Sequence, residues 1–236
     1  MRALAIVHQP DAGPGVFAET ITVAGARLEV WEPPSGRVPE DPGRYGAVLT
    51  FGGAMHPDQD HLHTWMGVER DLLAELVAAG VPTLAVCLGA QLLAGAGGGE
   101  AQRAPRPEIG WYPVQLTAAG VSDPVLGPLA PGFEACEWHS YECSLPPDAT
   151  ALAHSETCLQ AYRIGESAWG IQFHAEVSAQ GFDAWIDDYR SDEDAVAMGL
   201  DPGRLRREAQ GKIAAWNDLG RGLCARFLAV AAARVG

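Results

Sequence analysis

Short apolar runs mark the first half of the chain. They lie at 3–7, 28–31, 47–51 and 82–86, and few polar residues interrupt them. Continuous apolar runs of this length are typical of strands that are covered on both faces, as in parallel sheets. We therefore predict four buried strands in this part of the chain.

Helical patterns separate these runs. Apolar residues recur with a helical period between Trp65 and Ala79, and Gly80 follows where a C-terminal cap is expected. A shorter helix is predicted over 88–95, directly after the fourth strand. Strands and helices in alternation indicate an α/β fold with a doubly wound, mostly parallel sheet and helices on both faces.

The pattern changes in the middle of the chain, from about residue 109 to residue 173. Short strand-like pieces are broken there by Pro, Gly and Asp; they lie at 114–117, 133–138, 151–153, 159–164 and 168–173. We predict that these pieces form β-hairpins added to the first layer.

The last part of the chain is predicted to be helical. One piece lies at 182–189, and Asp201-Pro202 has the residue types of a helix start, with an N-cap followed by proline. No linker-like stretch separates this part from the rest. We therefore predict a single domain over 1–236, with a core at 1–180 and a helical C-terminal extension at 181–236.

Composition mainly excludes classes of partner. Asp and Glu number 30 against 16 Lys and Arg, which gives a formal net charge of −14. Such a surface repels phosphate backbones and anionic lipids, so we expect neither nucleic acid nor membrane as a partner.

Two features favour a cytoplasmic protein. The number of cysteines is odd, five, and the N-terminal apolar run is too short for a signal peptide.

The most informative cysteine is Cys87. It follows the fourth buried run and precedes Leu88-Gly89 and a helix. A strand-to-helix turn exposes the side chain at its apex, and the amides and dipole of a helix N-terminus stabilise a thiolate. An inert buried cysteine would give the same local pattern, so this motif alone leaves both interpretations open.

A histidine and a carboxylate follow another short strand. His174 and Glu176 are two residues apart, and in an extended chain such residues point to the same side. The carboxylate can orient the imidazole while its other nitrogen takes a proton from a thiol. Gly52-Gly53 follows the third apolar run. Because glycine has no side chain, a backbone amide there can point directly into a site.

These three motifs in this order resemble the class I glutamine amidotransferase family, most closely stand-alone members similar to the glutaminase domain of GMP synthase. Further matches lie at 108–111, 138–139 and 159–163, and the resemblance covers about 3–176. Ala54 and Ser140-Tyr141-Glu142 depart from the family pattern. The resemblance implies a flavodoxin-like core, and the helical tail beyond about residue 178 has no match to the family pattern.

The resemblance also implies a role for individual residues. Cys87 would be the nucleophile, His174 the base and Glu176 the carboxylate that orients it. The backbone amides of Gly53 and Leu88 would form the oxyanion hole. The substrate-binding residues implied by the resemblance are Gln91, His139 and Tyr141.

Three functions remain open at this stage. The first is hydrolysis of the glutamine γ-amide through a γ-glutamyl thioester, with ammonia passed to a separate synthetase subunit. The second is a self-sufficient hydrolase of γ-glutamyl amides or peptides with the same triad. The third, from a different class, is a non-catalytic regulatory or binding subunit.

We expect neither a cofactor nor a metal. The sequence has no phosphate-binding loop and no dinucleotide fingerprint. Four residues are of the types that bind zinc, but their spacing lacks the paired knuckle pattern; they are Cys136, His139, Cys143 and Cys158.

Overall fold

Nine strands form one mixed sheet in the computed structural model, which describes residues 1–39 and 41–235. The strands are β1 (Arg2–Ile6), β2 (Arg27–Trp31), β3 (Ala47–Thr50), β4 (Thr83–Val86), β5 (Ala101–Leu116), β6 (Gly132–Cys143), β7 (Ala149–His154), β8 (Leu159–Ile164) and β9 (Ala168–Ile171). Their order in the sheet is β2-β1-β3-β4-β9-β8-β7-β5-β6.

Half of the sheet is parallel and half antiparallel. The strands β2, β1, β3, β4 and β9 are parallel neighbours, whereas β9, β8, β7, β5 and β6 are antiparallel neighbours. The prediction of a mostly parallel sheet is therefore wrong. The reason is that the hairpins of the middle region extend the sheet itself at one side.

Strand β9 joins the two halves. It pairs with β8 as a hairpin, as predicted, and it also lies parallel to β4, with Thr83 opposite Ala168 and Val86 opposite Ile171. The hydrophobic pattern predicted the hairpin but not the parallel pairing. As a result, the chain that follows β9 leaves the sheet at the same edge as the chain that follows β4.

Helices cover both faces of the sheet. They are α1 (Gly15–Val23), α2 (Trp65–Ala78), α3 (Leu88–Ala96), α4 (Ala118–Val121), α5 (Ala179–Asp188), α6 (Glu193–Ala197) and α7 (Pro202–Val235). Alternate residues of β1 belong to different apolar clusters: Ala3 and Ala5 pack with α1, α5 and α7, whereas Leu4 and Ile6 pack with α2 and α3. Since successive strand residues point to opposite faces, each face has its own core.

Two elements differ from the sequence predictions. Helix α1 was not predicted, because only Val16, Phe17 and Ile21 of its residues are buried, which gives it a short apolar face with little periodicity. Strand β5 is far longer than predicted. Its pairing with β6 has an irregularity between Arg103 and Glu108, a stretch that contains two prolines and therefore read as a break.

Within the part of the chain that the structure describes, no helix has both the length and the apolar composition needed to span a bilayer.

Helix α7 packs closely on the chain that follows β9. Trp216 donates its indole N–H to the carbonyl of His174 at 2.8 Å, and Asn217 donates to the carbonyl of Val177 at 2.7 Å. One turn further on, a Cβ built on Gly220 would lie 1.9 Å from the carbonyl oxygen of Ala175. The helix therefore needs glycine at this position.

Two glycines of α7 provide a matched test of this packing. We expect G220A to lower the free energy of unfolding by about 1–3 kcal/mol, because the new methyl group must displace backbone. G211A, where a Cβ would meet nothing within 4 Å, should raise it by about 0.5–1 kcal/mol through helix propensity. Denaturant unfolding measures both values. A G220A variant as stable as the wild type would contradict the described packing.

Candidate active site

Cys87 occupies a one-residue turn between β4 and α3. Its φ is 52° and its ψ is −113°, a backbone conformation that residues other than glycine rarely adopt. Such conformations cost about 1–3 kcal/mol and occur mainly at functional sites. The turn places the thiol at the start of α3, at the carboxyl edge of the parallel strands.

Hydrogen bonds on both sides of the turn fix this conformation. The Cys87 N–H donates to the carbonyl of Ile171 at 2.9 Å, and the Cys87 carbonyl accepts the N–H of Gln91 at 3.0 Å. The Gly89 N–H donates to the carbonyl of Phe51 at 3.0 Å. A Cβ on Gly89 would lie 2.8 Å from the Thr50 carbonyl oxygen, so glycine is needed where α3 approaches the end of β3.

His174 and Glu176 lie beside Cys87, as expected from the parallel pairing of β4 and β9. The Nδ1 atom of His174 is 2.8 Å from Oε1 of Glu176, and both residues are buried. Burial alone would lower the pKa of His174, but the nearby charges of Glu176 and the Cys87 side chain raise it well above its ordinary value. The structure thus brings Cys87, His174 and Glu176 together.

The chain from His174 to Val177 is fixed by elements distant in sequence. Besides the bonds from α7, the N–H of Val16 in α1 donates to the carbonyl of Glu176 at 2.8 Å. The ring of Trp185 packs edge-on against His174 with centroids 4.7 Å apart. The C-terminal extension therefore helps to determine the position of this histidine.

A cavity of about 470 Å³ opens above Cys87. The other residues with a predicted role in the site also line it, apart from the buried Glu176; they are Gly53, Leu88, Gln91, His139, Tyr141 and His174. Leu88 is the first residue of α3, so its N–H is one of the amides that a helix leaves without an intrahelical acceptor.

Gln91 and Tyr141 already have hydrogen-bond partners. The side-chain nitrogen of Gln91 donates to the Tyr141 carbonyl and to Oε1 of Gln172, both at 3.1 Å. The Tyr141 hydroxyl donates to Asp58 at 2.8 Å. Direct contact of these two side chains with a substrate remains a prediction.

Comparisons with known proteins identify the family of the chain. The family model "Glutamine amidotransferase class-I" matches residues 18–187. The chain belongs to the class I glutamine amidotransferase family. The resemblance inferred from the motifs is thereby confirmed, and the chain is an amide-hydrolysing enzyme of that family.

Two relatives and one solved structure illustrate the match. The amidotransferase is 27% identical to glutamine amidotransferase-like protein YfeJ of Salmonella typhimurium over 208 residues, which are 84% of this chain and 85% of YfeJ. It is 35% identical to one of the subunits of the glutamine-hydrolyzing GMP synthase of Ignicoccus hospitalis over 142 residues, which are 59% and 71% of the two chains. A glutamine amidotransferase from Thermotoga maritima superposes with a TM-score of 0.86, at 26% identity, over 97% and 98% of the two chains.

One part of the site was missed by the sequence analysis. The stretch from α5 to α6 forms a wall of the cavity and carries mainly acidic and aromatic side chains there; they are Trp185, Asp188, Tyr189, Asp192, Glu193 and Asp194. Trp138 donates its indole N–H to Asp192 at 2.9 Å, which ties this wall to β6. No motif in this stretch identifies it, because its contribution depends on how the extension folds back.

His139 of the amidotransferase lies in a buried ionic network beneath the cavity. Its Nδ1 donates to the Tyr141 carbonyl at 2.9 Å, and its Nε2 lies 3.2 Å from Glu108 and 3.4 Å from Glu137. Burial alone would lower the pKa of His139, but the two carboxylates raise it to about 10. Both ring nitrogens therefore already have partners within the protein, and the predicted contact of His139 with a substrate remains a prediction.

The same network has the spacing of a metal site. Ligand atoms of Glu108, His139 and Cys158 lie within 4.8 Å of one another. However, one oxygen of Glu108 also accepts from the Gln160 amide at 2.9 Å and from the Ser155 hydroxyl at 3.1 Å. Several donors converging on one oxygen indicate a hydrogen-bonded carboxylate, so we interpret the cluster as an ion-pair network.

This network predicts how stability depends on pH. His139 is expected to shift from a pKa of 6.5 when unfolded to about 10 when folded. Its contribution is then complete below pH 6.5 and is lost as pH rises toward 10, at about 1.4 kcal/mol for each pH unit. The difference in free energy of unfolding between wild type and H139Q should therefore shrink over this range. Denaturant titrations at several pH values measure it, and a difference that is constant with pH would contradict the imidazolium assignment.

Proposed function

We propose that this amidotransferase hydrolyses the γ-amide of glutamine with Cys87 as nucleophile, His174 as general base and acid, and Glu176 as the carboxylate that orients His174. The observation that carries the proposal is the arrangement of the three residues. A strained cysteine at a helix start neighbours a histidine whose Nδ1 is bonded to Glu176. That bond leaves Nε2 of His174 to exchange a proton with the thiol.

In the first half of the reaction, the Cys87 thiolate attacks the γ-carbonyl carbon. A C–S bond forms, and the electron pair of the C=O bond moves to the oxygen. As this oxyanion collapses, the C–N bond breaks, and protonated His174 gives its proton to the departing nitrogen. The products are ammonia and a γ-glutamyl thioester on Cys87.

In the second half, His174 takes a proton from water while the water oxygen attacks the thioester. The C–S bond then breaks, and its electron pair returns to sulfur as the Cys87 thiolate. The new γ-carboxyl group releases its proton to solvent, glutamate leaves, and the thiolate with protonated His174 is the starting state again. In both halves the proposed oxyanion donors are the amides of Gly53 and Leu88, which line the cavity with Cys87. We propose that Gln91, His139 and Tyr141 shape the space for the glutamyl group.

We also propose that ammonia is delivered to a separate synthetase subunit. The support comes from the relative in Ignicoccus hospitalis, which is named as one subunit of a glutamine-hydrolyzing GMP synthase and is therefore part of a larger enzyme.

Two proposals concern the fold. When the five parallel strands are numbered 1 to 5 along the chain, their order across the sheet is 2-1-3-4-5. This is the flavodoxin-like order, and it supports a doubly wound core. We also propose one domain over 1–236. The support is the packing of α7 on α1 and α5 and the bonds from α7 to the chain after β9.

A second candidate function is hydrolysis of γ-glutamyl amides of cationic amines. The wall of the cavity carries several carboxylates, and Arg103, which also lines it, is paired with Asp194 at 2.7 Å. A cavity of about 470 Å³ lies in the range of pockets that take ligands larger than glutamine. The acidic wall would favour a positive charge on the leaving amine.

The test is glutamate release by the purified chain. We expect C87A to lower the rate by a factor on the order of 10⁴ or more, because removal of a nucleophile abolishes covalent catalysis. C224A is the matched control, since it removes another buried thiol, in α7. Equal rates for C87A and wild type would rule out Cys87 as the nucleophile.

The same assay separates the candidate functions. Two amides of equal length are compared, γ-glutamyl-diaminobutane and γ-glutamyl-pentylamine. The amine chain of the first ends in an ammonium group, and that of the second ends in a methyl group. A preference for the cationic amide that weakens with added salt would support the second candidate. Cys87-dependent release from glutamine alone, increased by a synthetase, would support the first.

A further inference from the structure

His8 is a buried histidine outside the proposed triad. It follows β1 at the carboxyl edge of the sheet, and its Nδ1 lies 2.9 Å from the carbonyl oxygen of Gly52. Its Nε2 lies 2.8 Å from Oε2 of Glu69 on α2. The ring stacks on Trp65, with centroids 5.0 Å apart and an interplanar angle of 17°, so it has little freedom to rotate.

The partners of His8 determine where its protons lie. A carbonyl oxygen only accepts hydrogen bonds, so Nδ1 carries a proton and donates it to Gly52. Glu69 accepts at its other oxygen from the Thr50 hydroxyl at 2.6 Å, so its carboxylate is an acceptor on both sides. Although burial opposes a charge on His8, Glu69 raises its pKa above the ordinary value.

The bond to Gly52 constrains the following peptide group. The only cis peptide among the described residues is Ala130-Pro131, so the peptide between Gly52 and Gly53 is trans. In a trans peptide the C=O and the N–H point in opposite directions. A Gly52 carbonyl bonded to His8 therefore directs the Gly53 N–H away from His8.

Two consecutive glycines could not maintain this orientation by themselves. Glycine permits a wide range of backbone angles, so the peptide between two of them rotates readily unless it is fixed. A side chain at either position would also be crowded, since a Cβ on Gly52 would lie 3.0 Å from Cε1 of His174, and one on Gly53 would lie 3.2 Å from Cβ of His8. The orientation must come from a neighbouring group.

We propose that His8 and Glu69 are positioning residues that fix the Gly52–Gly53 peptide so that the Gly53 N–H faces the oxyanion at Cys87. This inference rests on the function proposed above. Glu69 orients the imidazole, the imidazole bonds the carbonyl, and the carbonyl sets the direction of the amide. Loss of the bond to Gly52 should therefore slow the chemical step more than it weakens substrate binding.

Two isosteric variants separate the two bonds of His8. Asparagine places its amide nitrogen near the position of Nδ1, so H8N keeps a donor for the Gly52 carbonyl. Glutamine places its amide nitrogen near the position of Nε2, so H8Q keeps a donor for Glu69 and loses the bond to Gly52. We expect kcat of H8Q to be about 10²–10³-fold lower than that of H8N, the effect of losing one oxyanion donor, with KM values within a few-fold of each other.

A second readout distinguishes this role from a general structural one. Alkylation of Cys87 by iodoacetamide forms no oxyanion, so its rate should be the same in H8N and H8Q. Nitrogen NMR of the wild type needs no variant to fold and should show a proton on Nδ1 of His8 at neutral pH. Any one of three results would overturn the inference. They are equal kcat values for H8N and H8Q, alkylation of Cys87 that slows in parallel with kcat, and an Nδ1 of His8 without a proton.

The control variant C87A identifies which proposal has failed. If glutamate release by the wild type does not depend on Cys87, the proposed function is wrong and this inference falls with it. If release depends on Cys87 but not on the bond from residue 8 to Gly52, only the role of His8 and Glu69 is wrong.

Discussion

The strained backbone at Cys87 is the constraint on which the site depends. A one-residue turn between β4 and α3 places the Cys87 thiol at the start of a helix, and this non-glycine residue has a φ of 52°. The cost of about 1–3 kcal/mol is offset by the surrounding hydrogen bonds and packing. Ile171 on β9, Phe51 after β3 and the close contact of Gly89 with Thr50 all stabilise this turn.

The same contacts explain why the site forms where the strands end. Because β4 and β9 are parallel neighbours, the chain that leaves β9 carries His174 to the turn that follows β4. Helices from both ends of the sequence then fix that chain: α1 through Val16 and α7 through Trp216 and Asn217. The C-terminal extension is thus part of the geometry of the site, and it also forms the acidic wall of the cavity.

Much of this could be predicted from the sequence. The strand before Cys87, the glycine after Leu88, and the two-residue spacing of His174 and Glu176 are local patterns with a direct geometric meaning. The long-range features had no such pattern. The parallel pairing of β9 with β4 depends on contacts between runs that are 85 residues apart, as Thr83 and Ala168 are. The wall from α5 to α6 and the pairing of His8 with Glu69 follow from tertiary packing, which no local spacing reveals.

The most direct test of the central claim is to trap the covalent intermediate. The protein is mixed with glutamine, quenched in acid during turnover, digested and examined by mass spectrometry. The account predicts a mass increase of one glutamyl group on the peptide that carries Cys87, which disappears on treatment with hydroxylamine. Steady glutamate release without any adduct on that peptide, or with the adduct on another residue, would contradict it.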